Sequence, residues 1–401
     1  MARIVVVGGS LGGLMAANLL HRAGHEVTVL ERSSRSLQGR GAGIVTHEGL
    51  RQTLRDCGVP VDRALGVPVA SRVVLRTDGE AECRWEHPQI LTSWGRLYAL
   101  LRAALPEACH RLGAAVTGAQ QDEAGVTLRL ADGRSERAEL VIAADGVRST
   151  LRQQLVPDVQ PQYAGYVAWR GVCDEVALSR RTLSTLFPHF GFGLPEGEQM
   201  LGYPVAGADD STELGQRRWN FVWYRPAAAG AELEALMTDA DGVHHPDGIA
   251  PQQVSWRQIA AMREAARQRL APQFAEIVEK TAVPFLQPIV DFLPPPLAHG
   301  RIALLGDAAC VARPHVGMGV AKAGDDAQAL VAAINALGAS PAALNRYDDA
   351  RRQTVAAVAE RARSLGAYMQ ARPADGKPAR SADAVMHQTA IDPSLFDTYP
   401  P

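Results

Sequence analysis

The sequence predicts an α/β fold: a Rossmann-like domain built on a parallel sheet, interlaced with a mixed-sheet domain and followed by C-terminal helices. Three observations predict it. The chain opens with a strand, a glycine cluster, a helix and a second strand. Residues from about 163 to 290 are mostly strand-like, with glycines and prolines between the runs. Buried-strand and long-helix patterns return after residue 300.

The composition is that of an ordinary globular protein. The chain has 401 residues, of which 47% are hydrophobic and 21% charged, enough for two interlocked domains. A net charge of −2, with no basic runs that contain aromatic residues, argues against nucleic-acid or membrane partners. The five cysteines are scattered, which indicates reduced thiols and no metal site. Because neither a signal peptide nor a bilayer-long apolar run is found, we expect a cytoplasmic protein.

The first thirty residues predict the start of a βαβ unit. Ala2–Val7 is a short apolar run rich in β-branched residues, which is typical of a strand buried on both faces. A helical pattern follows over Leu14–Ala23 and stops at Gly24. Val27–Leu30 is a second buried strand, so the chain begins as a parallel α/β sheet does.

A glycine-rich turn joins that first strand to the first helix. Gly8 permits a tight turn, Gly13 lets the helix pack closely on the strand, and the small Ser10 leaves room for a pyrophosphate near the helix N-terminus. Glu31 lies near the offset of an acid that binds a ribose, which favours FAD or NAD over NADP. A turn without a ligand is the alternative, but strand, glycines, helix and acid together argue against it. The predicted contacts are Gly8, Ser10, Leu11, Gly12, Gly13, Glu31 and Arg32.

Further elements follow in chain order. Helices are predicted at His47–Cys57, Trp94–Leu105, 231–239, 255–280, 317–337 and 341–369. Strands are predicted at Val126–Leu130, Leu140–Ala143, Tyr163–Val172, Gly191–Leu194, Met200–Val205, Arg218–Tyr224 and Arg301–Leu305. The first two of these strands are expected to form a hairpin around the turn at 131–133. After Arg372 the composition predicts a loosely held tail.

Two later motifs specify the dinucleotide. One is the Asp145-Gly146 pair in the segment 140–149, and the other is Gly306-Asp307 in the segment 301–309. With the amino-terminal turn, these motifs resemble, in order and spacing, those of the single-component FAD-dependent aromatic hydroxylases, the para-hydroxybenzoate hydroxylase family. Asp307 ends a buried strand, where a carboxylate can accept ribityl hydroxyls. For either aspartate alone, a helix N-cap is the alternative.

The resemblance implies a GR2-type FAD-binding domain and several further cofactor contacts. The loop after Asp307 opens a long helix, whose N-terminal amides could stabilise negative charge on the flavin. The implied contacts are Gly43, Asp145, Gly306, Asp307, Pro314, Gly317, Met318 and Gly319. The implied division is 1–70, 95–162 and 290–370 for FAD, 71–94 and 163–289 for substrate, and 371–401 as a tail.

Several stretches, including 41–45, 163–171 and 220–224, are similar to the 2,6-dihydroxypyridine 3-hydroxylase-like enzymes of that family. This similarity implies hydroxylation of an electron-rich, hydroxylated aromatic or N-heteroaromatic ring with NADH or NADPH and O₂, through a flavin hydroperoxide. Three positions depart from the wider family. Trp94 stands where an arginine is common, Cys310 where histidine is frequent, and Ala321-Lys322 where an asparagine is expected.

Candidates for the substrate chemistry are two histidines and two tyrosines. A base with a pKa near neutral would help to ionise a ring hydroxyl, and histidine is the natural type. His315, in the loop before the flavin-facing helix, ranks ahead of His47, and either could instead position the substrate or bind a loop carbonyl. Tyr203 and Tyr224, with Trp169 and Arg170, could line the pocket from the middle strands, with ordinary core packing as the alternative, which is favoured for Trp169.

Other functions remain open at this level. An epoxidase, halogenase or reductase could use the same fold, and a non-catalytic flavin redox sensor or a NAD-only dehydrogenase are further alternatives. The sequence does not give the substrate, the choice between NADH and NADPH, or the oligomeric state. The family often dimerises, so a homodimer is one expectation.

Overall fold

The computed structural model describes residues 1–37, 43–61, 65–367 and 381–400. The strands found in these ranges are β1 (Arg3–Val7), β2 (Glu26–Glu31), β3 (Gly43–Val45), β4 (Val67–Leu75), β5 (Ala81–Ser93), β6 (His110–Leu112), β7 (Val116–Gln121), β8 (Val126–Leu130), β9 (Ser135–Ala138), β10 (Leu140–Ala143), β11 (Gln162–Asp174), β12 (His189–Gly193), β13 (Gln199–Val205), β14 (Arg218–Pro226), β15 (Phe285–Asp291), β16 (Ala298–His299) and β17 (Ile302–Leu304). The α-helices are α1 (Leu11–Arg22), α2 (Glu48–Asp56), α3 (Trp94–Ala104), α4 (Thr150–Leu155), α5 (Arg180–Leu186), α6 (Ala231–Leu236), α7 (Trp256–Arg269), α8 (Pro272–Lys280), α9 (Gly319–Leu337), α10 (Pro341–Gly366) and α11 (Ala382–Gln388).

A six-stranded sheet confirms the predicted Rossmann-like domain. Its order is β16-β17-β10-β1-β2-β6, and every neighbouring pair is parallel except the edge pair β16–β17. The central strands β1, β10 and β17 are almost fully buried because their residues are apolar on both faces. Helix α1 packs against α9 and α3, so the sheet is covered by helices. The carboxyl ends of its strands carry the predicted nucleotide-binding turns.

A mixed sheet of eight strands forms the second layer. Its order is β15-β11-β14-β13-β12-β4-β5-β3. Helices α5, α7 and α8 cover one face, where Phe274 and Trp223 belong to a shared hydrophobic cluster. The opposite face carries Tyr166, Tyr203 and Tyr224 in a separate cluster that also includes residues from α11. Helices therefore cover one face, while the other face is available to form a pocket.

The predicted hairpin around residues 131–133 has a different second strand. Strand β8 pairs with β9 in a small antiparallel sheet, whereas Leu140–Ala143 is the parallel strand β10 between β1 and β17. The physical reason is burial. Ser135–Ala138 alternates between exposed and buried residues, as suits a sheet with one solvated face, whereas Leu140–Ala143 is buried throughout.

The C-terminal region also differs from the expectation of a loose tail over 371–401. Residues 381–400 are described, and they begin with α11 and pack on the mixed sheet. Met386 and Ile391 are buried there, because the mixed sheet offers these apolar side chains a complementary surface. Residues 368–380 and 401 lie outside the described residues.

Two further findings concern the chain as a whole. The five cysteines are not joined by disulfides. Within the described ranges, none of the helices combines the length and the apolar character that a membrane crossing requires.

Candidate cofactor cleft and substrate pocket

Three adjoining cavities run from the amino-terminal turn to the mixed sheet. The first, of about 460 Å³, and the second, of about 200 Å³, share Ser10, Trp94 and Gly146. The second and the third, of about 270 Å³, share Asp307 and Gly319. The first lies at the ends of parallel strands, and the third is lined by the mixed sheet. The cavities therefore form one elongated cleft, which we divide into a cofactor cleft (the first two) and a substrate pocket (the third).

The glycine turn at one end of the cleft is built as the sequence predicts. Gly8 has φ of 106°, a left-handed conformation that disfavours larger residues. A Cβ atom at Gly13 would lie 2.0 Å from the carbonyl oxygen of Gly8, so only glycine allows helix α1 this close to the turn. Helix α1 has no acidic residue in its first turn, and within the described ranges Ser10 makes no side-chain capping bond. The helix N-terminus is therefore suited to an anionic phosphate.

Glu31 has a structural role in addition to facing the cleft. Its Oε2 accepts a hydrogen bond from the Gly9 amide at 2.8 Å, and its Oε1 accepts one from the Ser33 amide at 2.8 Å. Glu31 and the exposed Arg32 both line the first cavity. Because each carboxylate oxygen has two lone pairs, Glu31 can fix the turn and still accept a ribose hydroxyl.

Asp145 lies directly beside the glycine turn, with its Cα atom 3.0 Å from where a Cβ atom at Gly8 would lie. Its Oδ2 accepts a hydrogen bond from the Thr150 amide at 2.8 Å, so the helix-capping role considered for this residue is real. Its Oδ1 is buried and has no hydrogen-bond partner in the described part of the chain. Buried polar atoms are nearly always paired, so this unpaired oxygen beside the first cavity is suited to accept a hydrogen bond from a ligand.

The Gly306-Asp307 turn follows β17 and is fixed by a buried charge network. The Nζ of Lys322 donates to the Gly306 carbonyl oxygen at 2.8 Å and lies 3.3 Å from Oδ2 of Asp326. The same Asp326 accepts a hydrogen bond from Nε of Arg351 at 3.0 Å. Asp307 is exposed to the cleft and lines both the second cavity and the substrate pocket. Lys322, a departure from the wider family, therefore supports the turn that presents Asp307.

These features fit FAD. The cleft offers small residues and a helix N-terminus for a pyrophosphate, a carboxylate at each end for sugar hydroxyls, and the start of α9 near the mixed sheet. Further predicted contacts line the cleft. The second cavity is lined by Leu11, Gly12 and Gly306, and the substrate pocket by Gly43, Pro314 and Gly317, while Gly319 lines both. Met318 does not line the cleft, because its side chain is buried in the hydrophobic core.

The substrate pocket has a cation beside two tyrosines. Arg170, Tyr203 and Tyr224 all line it. Arg170 donates to Gln287 Oε1 at 2.9 Å, but its buried Nε has no partner within the described ranges. Burial raises the pKa of Tyr224 to about 12 and also raises the pKa of Tyr203, against the opposing effect of Arg170. Both hydroxyls therefore stay protonated at neutral pH and can donate hydrogen bonds to a ligand.

Close approach of the edge strand β3 to the middle strands of the mixed sheet shapes this pocket. A Cβ atom at Gly43 would lie 2.3 Å from Cε2 of Tyr203, so the tyrosine ring rests directly on the backbone of β3. The Gly43 amide donates to Oδ1 of Asn220 at 2.9 Å, which holds the edge strand β3 close to β14 of the same sheet. Trp169, the neighbour of Arg170, points to the opposite face and belongs to the helix-covered core.

His315, the leading candidate for a base, is buried behind the pocket. Its Nε2 lies 2.9 Å from the Tyr166 hydroxyl and its Nδ1 lies 3.1 Å from Oε1 of Gln199. The side chain has no exposed surface, and its ring packs 4.4 Å from that of Tyr224. This geometry favours positioning of the pocket wall over direct proton exchange with a substrate.

His47 is likewise buried outside the pocket lining. Its Nε2 lies 3.2 Å from the Gly317 carbonyl oxygen, an arrangement in which the ring donates and is neutral. Burial lowers its pKa from 6.5 to about 4. His47 therefore fixes the loop at Gly317 and does not titrate near neutral pH.

A pH-dependent stability follows from the burial of His47. Because the pKa is lower in the folded protein than in the unfolded chain, acid favours unfolding: the stabilisation is present above pH 6.5 and is lost as the pH falls towards 4. The shift corresponds to a loss of roughly 3 kcal/mol in the free energy of unfolding. Urea unfolding at pH 7, 5.5 and 4.5 should show a smaller decline for His47→Gln, which can still donate to Gly317. If the free energy of unfolding falls equally with decreasing pH in wild type and in His47→Gln, this assignment is wrong.

Three contributors to the site were not identified as such from the sequence. Trp94 lines both cofactor cavities and stacks on Tyr98 with ring centroids 5.1 Å apart, in place of the family's arginine. The nearby Arg96 does not take the place of that arginine, because its Nη1 lies 3.6 Å from Oδ2 of Asp210. Thr389 and Ala390 line the substrate pocket. The aromatic type of Trp94 was visible, but nothing in the composition of 381–400 indicated a pocket wall.

Comparisons with known proteins agree with this site. A family model described as "FAD binding domain-like" matches residues 163–291, and one described as "Pyridine nucleotide-disulphide oxidoreductase" matches residues 3–61. The 2,6-dihydroxypyridine 3-monooxygenase of Paenarthrobacter nicotinovorans is 34% identical, over 82% of this chain and 81% of its own. The chain belongs to the FAD-dependent aromatic monooxygenases. The chain is also 28% identical to the 6-hydroxynicotinate 3-monooxygenase of Bordetella bronchiseptica, over 89% of each of the two chains.

A solved structure extends the similarity to the whole fold of the monooxygenase. The 2,6-dihydroxypyridine-3-hydroxylase from Arthrobacter nicotinovorans superposes with a TM-score of 0.87 at 30% identity, covering 94% of this chain and 95% of that one. The protein is thus a flavoprotein hydroxylase with FAD as cofactor and NAD(P)H as the family's co-substrate. The relatives do not favour the epoxidase, reductase or redox-sensor alternatives.

Proposed function

We propose that this monooxygenase hydroxylates a hydroxylated N-heteroaromatic ring, such as a hydroxypyridine, that binds as an anion. The observation that carries the proposal is Arg170, a cation that lines the substrate pocket with an unpaired buried Nε–H in the described part of the chain. The relatives named for 2,6-dihydroxypyridine and 6-hydroxynicotinate hydroxylation support this substrate class.

The pocket can activate such a ring without a protein base. A cation close to a ring hydroxyl lowers the pKa of that hydroxyl, so Arg170 favours the phenolate-like form, which is richer in electrons. The protonated hydroxyls of Tyr203 and Tyr224 can orient its oxygen and nitrogen atoms. Bound FAD supplies the oxygen-activating redox chemistry. Phe190, Leu201 and Val222 line the same pocket and exclude water from it.

The two histidines act through their neighbours in this scheme. His315 positions Tyr166 and the ring of Tyr224, and His47 fixes the loop at Gly317. The amino-terminal turn, Glu31, Asp145 and Asp307 bind the cofactor. Residues 1–70, 95–162 and 290–370 then make up the FAD-binding domain, and 71–94 with 163–289 the substrate-binding domain. The five free thiols favour a reducing, cytoplasmic setting.

A substrate panel tests this function. Purified protein carrying FAD is mixed with NADH or NADPH and with hydroxypyridines, hydroxynicotinates or simple phenols. We expect hydroxypyridines to stimulate NAD(P)H oxidation most strongly, and mass spectrometry to show a product heavier by one oxygen that derives from ¹⁸O₂. Stimulation by phenols alone would overturn the substrate class. Protein without flavin, or NAD(P)H oxidation that no ring compound stimulates, would overturn the function.

A further inference from the structure

The segment from Met386 to Ala390 forms one wall of the substrate pocket. Thr389 and Ala390 line the pocket directly, opposite residues of the mixed sheet. Thr389 is fully buried, and its hydroxyl has no hydrogen-bond partner among the residues that the structure describes. The pocket is therefore closed by a part of the chain that is remote in sequence from the sheet and from the loop at Pro314–Gly317.

Arg72, on strand β4, holds this segment in place. Its Nη1 donates to the carbonyl oxygens of Met386 at 2.8 Å and Thr389 at 2.6 Å, and its Nη2 donates to that of Ala390 at 2.8 Å. Its Nε donates to Gln89 Oε1 at 2.9 Å. A buried guanidinium is costly unless its donors are paired, and four donors are paired here. Three of them serve one short stretch of backbone at the end of α11, where helix carbonyl groups otherwise lack partners.

Two aromatic rings pack against the guanidinium. Its central carbon lies 5.4 Å from the ring centroid of Trp85 and 5.2 Å from that of Phe190, distances typical of cation–π contacts. Phe190 also lines the substrate pocket. Arg72 itself is completely buried and does not line the pocket, so it acts on the pocket only through the segment and through these rings.

The segment also contacts the loop that leads to the flavin-facing helix. The Ala390 amide donates to the His315 carbonyl oxygen at 3.0 Å. A Cβ atom at Gly317 would lie 2.5 Å from Cβ of Ala390, so the segment packs directly on that loop. Ala390 has φ of 49°, which is unusual for a non-glycine residue and persists only where the surroundings enforce it. The hydrogen bonds of Arg72 to the flanking carbonyls supply that constraint.

We propose that Thr389 and Ala390 are specificity-determining residues of the substrate pocket and that Arg72 is the positioning residue that places them. This inference rests on the proposed function, because it assigns a wall of the same pocket. It predicts that loosening the segment enlarges and hydrates the pocket while the cofactor cleft, which is built from other residues, keeps FAD.

The test compares Arg72→Met, Arg72→Lys and Thr389→Leu with wild type, and uses Arg76→Met, an exposed arginine just beyond the same strand, as control. For Arg72→Met we expect normal FAD content, a rise of at least about tenfold in KM and in the Kd of a hydroxypyridine measured by flavin absorbance, and less product per NADH. Arg72→Lys should restore part of the loss. Hydrogen exchange of residues 381–392 should accelerate in Arg72→Met, a readout that does not require turnover.

Thr389→Leu keeps the proposal falsifiable if Arg72→Met fails to fold. This variant should change the ranking of ring substrates, with the bulkiest losing most, without loss of FAD. Unchanged KM, Kd and product yield in folded Arg72→Met, or an unchanged substrate ranking in Thr389→Leu, would overturn the inference. Failure of wild type to oxidise NADH with any ring compound would instead overturn the proposed function. The hydrogen-exchange data would still show whether Arg72 holds the segment from Met386 to Ala390, which we call the clamp at Arg72.

Discussion

Gly13→Ala should yield a protein that is purified almost free of FAD. The added Cβ atom would lie 2.0 Å from the Gly8 carbonyl oxygen, a distance that forces helix α1 away from the turn. Overpacking of this kind costs about 1–3 kcal/mol, and the displaced helix N-terminus no longer faces the pyrophosphate. We expect the ratio of flavin to protein absorbance to fall by about tenfold or more, since 1.4 kcal/mol corresponds to a factor of ten in binding.

Gly49→Ala is the matched control for that experiment. Gly49 lies in helix α2, where an added Cβ atom would meet only the Asp325 side chain at an ordinary 3.5 Å. Alanine favours helices over glycine, so this variant should retain its FAD and unfold at the same temperature or slightly higher. A Gly13→Ala protein with full FAD content would contradict the assignment of this turn to the pyrophosphate.

Arg170→Met should lose substrate affinity and keep its cofactor. Arg170 is the cation of the substrate pocket, and removal of one partner of a buried charged pair typically costs 2–5 kcal/mol. We expect KM for an anionic hydroxypyridine to rise by about 100-fold, equivalent to about 2.7 kcal/mol. Less product should form per NADH, because a loosely held ring no longer excludes water. Stopped-flow and steady-state assays with product quantification measure both effects.

The pH dependence of that variant separates its electrostatic role from packing. Because a nearby cation lowers the pKa of a ring hydroxyl, the pKa of the hydroxyl of the bound ring, measured from its absorbance, should be higher in the variant than in wild type. Arg170→Lys, which keeps the charge, should lie between the two. Arg134→Met, at an exposed turn with Asp132, is the control for the loss of a surface charge. An unchanged pH profile in Arg170→Met would assign Arg170 to packing alone.

The cofactor side of the molecule was largely accessible from the sequence. Strand, glycine turn and acid are local patterns, so Gly8, Gly13 and Glu31 lie where the spacing predicts. The two aspartates were located by their motifs, and the structure adds that Asp145 also caps a helix. Such features depend on backbone geometry over a few residues, which is why sequence reasoning succeeds with them.

The substrate side depends on long-range contacts that no local pattern reports. His315 looked like an accessible base because of its neighbours in sequence, yet Tyr166 and Gln199 enclose it from other strands. The predicted partner of β8 was wrong because two strands, β9 and β10, follow the turn at 131–133. Only their burial in the folded protein distinguishes them. Arg72 received no attention, since a single arginine in a strand does not reveal which distant carbonyl groups it will meet.

The clamp at Arg72 has a consequence for biosynthesis. Because domains fold as the chain emerges, the parallel sheet and the mixed sheet can assemble while the segment around Thr389 is still being synthesised. The pocket wall is thus the last part of the site to leave the ribosome. A nascent chain could acquire its flavin before it has a closed place for the substrate. A premature stop codon between residues 367 and 386 would leave a coloured protein that consumes reductant without making product.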